Sequence, residues 1–100
     1  MRVIDIDGRA WRSQDDFYDA IFRAIGAPEW HGRSLDALDD SMIWHDDIND
    51  LKAPYTLRIY GNSVMPAELR DYVMRFAEAI NTLAAPDKGT ELEISIAITD

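Results

Sequence analysis

The apolar positions of this chain follow two periods, and each change of period marks an element boundary. Val3, Ile4 and Ile6 form a short β-branched run that stops at the turn dipeptide Asp7-Gly8, so residues 2–6 read as a first strand. Phe17, Ala20, Ile21, Ala24 and Ile25 then recur at three and four, the spacing of a buried helical stripe. Ser13 precedes the stripe as an N-cap, Asp16 follows it three positions later as a variant of the capping box, and Gly26 closes the helix. After a loop bounded by Pro28 and Gly32, Ser34 can cap a short second helix with Leu35, Leu38 and Met42 on its inner face. His45 to Pro54 holds too few apolar residues for a regular buried element and reads as a loop. Residues 55–60 are a second strand stopped by Gly61-Asn62. Pro66 then suits the first turn of a long third helix in which Leu69, Val73, Phe76, Ile80 and Leu83 form the stripe. Past Pro86 and Gly89, Leu92, Ile94, Ile96 and Ile98 alternate with polar or small residues as a last strand.

Strands separated by helical connections predict a parallel sheet, since a parallel crossover needs a dozen or more residues. The expected class is therefore α/β, a three-stranded parallel sheet with helices on one side, the last strand having a partly polar second face. With 100 residues, 47% of them hydrophobic and 29% charged, residues 1–100 are expected to form a single soluble domain.

Charge narrows the function classes. The net charge is −9, which repels phosphate backbones and anionic lipid and favours a basic partner over nucleic acid or membrane. More than half of it sits in residues 34–54, where six Asp face one Lys. The absence of cysteine excludes a disulfide framework and thiolate chemistry. The first residues alternate polar with apolar rather than forming a secretory h-region, so a cytoplasmic protein is expected.

Within the acidic stretch, Asp36 and Asp40 stand at i, i+4, a like-charge spacing that costs a few tenths of a kcal/mol. An ordinary solvated helix face also has this composition. The loop before it adds Trp30, His31 and Arg33, and an aromatic beside converging charges is the composition of an interface hot spot. Trp30 taken alone reads equally as a packing residue. The run His45-Asp46-Asp47-Ile48-Asn49-Asp50 invites a metal reading, but no register supplies both the Gly and the Glu of a calcium loop, so no metal or cofactor is expected and His45 reads as a helix-end residue. Catalysis has little to recruit: Ser34 is explained as a cap, and neither a nucleophile elbow nor a phosphate loop is present. Glu68, Asp71, Arg75 and Glu78 form a mixed-charge face on the third helix that by itself carries no function.

The segment from Ala27 through Trp30 to Leu35-Asp36-Ala37-Leu38-Asp39-Asp40 resembles the signature of the barstar family, bacterial intracellular inhibitors of small ribonucleases, in which a Pro-Glu-aromatic loop leads into a helix reading Leu-Asp-Ala-Leu-x-Asp. The resemblance implies a barstar-like two-layer fold and blockade of the enzyme's active site by that loop and helix. Carried over by position, it implies that Trp30, Asp36 and Asp40 contact the partner, with Glu78 from the third helix; Asp39, between the two matched acids, joins them as an expected contact. The chain departs from the family pattern at His31, Arg33, Asp39 and Ser41, and its connection from Gly61 to Met65 is too short for the family's extra small helix. The expected protein is a monomeric, non-enzymatic, immunity-type inhibitor of a basic bacterial ribonuclease or toxin. An adaptor for another basic protein, or a metal-assisted hydrolase using His45, Asp46, Asp47 and Asp50, are the alternatives.

Overall fold

The computed structural model describes residues 2–85 and 93–100. Three strands, β1 (Arg2–Asp7), β2 (Tyr55–Tyr60) and β3 (Ile94–Ile98), lie parallel in the order β1-β2-β3. The connections carry α1 (Gln14–Ile25), α2 (Leu35–Asp39) and α3 (Ala67–Leu83). Leu92, which the alternation adds to the last strand, lies outside the described residues, as does the connection through Pro86 and Gly89.

The register stacks Ile4, Leu57 and Ile96 in one row and Ile6, Ile59 and Ile98 in the next, and this face packs with the helical stripes into one core. Phe17, Ile21 and Ile25 from α1 and Val73, Phe76 and Ile80 from α3 are fully buried in it, as the three-four spacing predicts. The other face is open, and polar pairs cross two of its rows: Arg58 Nε donates to Asp5 Oδ1 at 2.7 Å and the Thr56 and Ser95 hydroxyls meet at 2.7 Å. At the free edge of β3, Asn81 of α3 acts as a surrogate strand, accepting from the Ile96 amide at 2.8 Å and donating to the Ile96 carbonyl at 3.0 Å.

The caps sit where the sequence places them. Ser13 and Asp16 close a capping box, Gly26 takes the left-handed conformation with φ of 66°, and the Ser34 hydroxyl accepts from the Ala37 amide at 3.0 Å. Gly26 also lets the following loop approach. The Asp50 and Leu51 amides donate to the Gly26 and Ile25 carbonyls, and a Cβ at Gly26 would stand 2.6 Å from that of Asp50.

Two connections differ from expectation. The second helix stays α-helical only to Asp39; Asp40–Trp44 is a π-turn closed by the His45 amide donating to the Asp40 carbonyl at 2.7 Å. The wider turn buries Ser41, Met42 and Ile43 in succession and leaves Asp40 and Trp44 outside. The short segment after β2 does hold a helical turn, the 3-10 turn Asn62–Val64, because three residues suffice for that tighter winding.

Candidate functional site: an acidic helix face and its loop

The site begins with the turn that presents Trp30. His31 donates its backbone N–H to the Pro28 carbonyl at 3.1 Å, and Trp30 projects from this turn with 73% of its surface exposed. An indole left this bare in an ordered turn is available as an anchor and is not a packing residue. Across a recess of about 80 Å3 from it stands Asp40, the buried His31 and Ser41 contributing to the lining.

Of the expected contact acids, Asp36 and Asp40 are exposed and follow one another by a helical turn, the Asp40 amide bonding the Asp36 carbonyl. Asp36 has no charged partner among the described residues. Asp40 receives a hydrogen bond from His45 Nδ1 at 2.9 Å, both side chains more than half exposed, so His45 is at the end of the helix as expected. Asp39 is set differently. It is half-buried, its Oδ1 has neither solvent nor a hydrogen-bond partner among the described residues, and burial, with the Asp36 charge second, raises its pKa above the ordinary carboxylate value. Its charge is felt by Tyr18 of α1, whose phenol is pushed upward by burial first, then by the Tyr72 hydroxyl and least by Asp39. Glu78 is exposed on α3, which packs against α2, and it is unpaired among the described residues.

The loop's one cation does not neutralise this face. Arg33 turns back onto α1, donating to Asp19 Oδ1 at 2.6 Å and Asp15 Oδ1 at 3.2 Å with its guanidinium over the Phe22 ring. The turn that follows Ser34 is therefore left negative.

Trp44 is the exposed residue that sequence reasoning passed over. It ends the π-turn with 57% of its surface in solvent, one position before the histidine that holds Asp40. Extending the spacing of Asp36 and Asp40 by four more would have found it. His45, Asp46, Asp47 and Asp50 are exposed around the following loop, and among the described residues no three His, Asp or Glu side chains stand close enough to hold a metal ion.

Fold and site together define a small α/β binding domain whose exposed chemistry is carboxylate and indole. The chain belongs to the barstar (barnase inhibitor) family, whose model matches residues 1–98. Barstar family members are non-enzymatic inhibitors. No curated protein matches the chain. Among the described residues no helix is long and apolar enough to cross a membrane.

Proposed function

We propose that this chain, acting as a monomeric single domain in the cytoplasm, inhibits a barnase-like bacterial ribonuclease by seating Asp36, Asp40 and Trp30 over the enzyme's active site, with Asp39 and Glu78 at the margins. A ribonuclease active site holds cationic side chains arranged for phosphate, and a helix face that presents carboxylates can occupy them in place of RNA. The diversion of Arg33 onto Asp15 and Asp19 carries the reading, because within a family of barnase inhibitors it keeps the loop's only cation away from the acidic turn. The acidic field also speeds encounter with a basic enzyme.

Titrating this protein into barnase while following RNA cleavage is the test. Activity is expected to fall linearly to zero near one equivalent. Cleavage that persists at excess, with binding detected by calorimetry, would instead select an adaptor for a basic protein.

A further inference from the structure

The geometry points to His31 as the positioning residue of the recognition loop: a neutral imidazole protonated on Nδ1 that pins the Trp30 turn to the helix bearing Asp40. The ring is buried, 7% exposed, and each of its nitrogens has a partner that fixes its role. Nδ1 lies 2.8 Å from the Gly32 carbonyl oxygen, which can only accept, so Nδ1 carries the hydrogen. Nε2 lies 2.6 Å from Ser41 Oγ, and the hydroxyl's other acceptor among the described residues, the Leu38 carbonyl, is at 3.5 Å; the shorter contact assigns the hydroxyl hydrogen to Nε2, which accepts it. Ser41, 2% exposed, takes in turn a hydrogen bond from Asn49 Nδ2 at 3.1 Å, and the same amide reaches the Ser41 carbonyl at 3.3 Å. The protons thus run in one direction, from Asn49 through Ser41 and His31 to Gly32. The opposite tautomer would set two lone pairs against each other at Gly32 and would turn the Ser41 hydroxyl from the 2.6 Å contact to the 3.5 Å one at the Leu38 carbonyl.

This chain of bonds joins the loop after the π-turn, the π-turn itself and the Trp30 turn, while the imidazole packs on Phe22 of α1 with centroids 4.6 Å apart. Ser41 follows Asp40 directly and His31 follows Trp30 directly. One hydrogen bond between buried neighbours therefore sets the spacing of the two exposed groups that a partner would meet. Holding such groups in their bound arrangement beforehand removes an ordering cost from association. The consequence for binding rests on the inhibitor reading above; the pinning itself does not.

The test is nitrogen-15 NMR of the free protein with the aromatic variant His31→Phe, which keeps a ring against Phe22 and deletes both side-chain bonds. In the wild type, Nδ1 is expected to carry the proton and Nε2 to have the shift of an unprotonated ring nitrogen. In the variant, backbone and Trp30 indole order parameters over residues 29–32 should fall while α1 and β2 keep theirs, and affinity for barnase should weaken about tenfold. An Nε2-protonated tautomer, or a variant loop as ordered as the wild type, would overturn the assignment. If His31→Phe does not fold, Ser41→Ala deletes only the hydroxyl and carries the same readouts. If the wild type fails to bind barnase, the inhibitor reading falls while the tautomer and loop order still decide this one.

Discussion

The open face of the sheet and the outer face of α2 both carry carboxylates, and they use them oppositely. On the sheet, each acid has its own cation. Asp5 accepts from Arg58 at 2.7 Å, and Asp7 takes both the Arg9 guanidinium, at 2.8 and 2.9 Å, and the Arg9 amide. These bonds hold the Asp5 carboxyl below its ordinary value and that of Asp7 at about 2. On α2, among the described residues, Asp36 has no cation and Asp40 only an imidazole, while the nearby Arg33 is spent on α1. Charges paired internally have little left for a partner, whereas carboxylates without an Arg or Lys partner project a field and meet an incoming cation with at most a histidine contact to give up. The difference separates the face whose charges serve the fold from the face proposed for recognition.

The sharpest way to break this contrast is Asp40→Ala. Removing one member of a desolvated pair strands the partner's cation, which costs about 2–5 kcal/mol of affinity, a range for which the barnase and barstar pair is itself a reference case. Because Asp40 is exposed, the unfolding free energy should move by no more than about 0.5 kcal/mol, as read by urea denaturation. Asp36→Ala should follow, and Glu78→Ala should be mildest because a rim charge stays screened by solvent. Trp44→Ala should fall between the helix acids and Glu78→Ala. A half-exposed indole beside the acidic turn should contribute about 1–2 kcal/mol to the complex and almost nothing to the free fold. Unchanged affinity in calorimetry would confine the site to Trp30 and the acids.

Asp39 supplies a smaller effect of opposite sign. Its folded pKa is raised, so the native state holds its proton more tightly than the unfolded chain, and stability must decline as pH rises from the ordinary carboxylate value through the folded one. Asp39→Asn should flatten that part of the profile and raise the melting temperature at neutral pH. Asp7 works the other way: its depressed pKa gives stability that is present above the ordinary carboxylate range and lost as pH falls toward about 2. Asp7→Asn should remove this acid-side loss and leave barnase affinity unchanged.

The parts of this molecule legible in its sequence are those written locally. Helix α1 has a stripe, a capping box at Ser13 and a left-handed Gly26, all within its own length, and β2 is bounded by a proline and a glycine. The π-turn was not legible, because burying Ser41, Met42 and Ile43 in succession is decided by what packs around them and not by a period. Nor was the state of the site. Whether Arg33 would face Asp36 or Asp19 depends on where α1 lies, and the bond of His31 to Ser41 joins residues on two sides of a helix start. Spacing showed which acids share a helix, while the third dimension decided which of them were neutralised.

On the proposed function, the α2 face, whose acids have no Arg or Lys partner among the described residues, and not total acidity, recognises a basic ribonuclease. Stopped-flow association with barnase, from about 0.05 to 0.5 M salt, separates the two, because screening shortens the reach of exposed charges over that range. The rate should drop steeply for the wild type and for Asp5→Asn/Asp7→Asn, and both the rate and its salt dependence should be lower for Asp36→Asn/Asp40→Asn. Equal losses in the two double variants, which remove the same charge from different faces, would contradict the account.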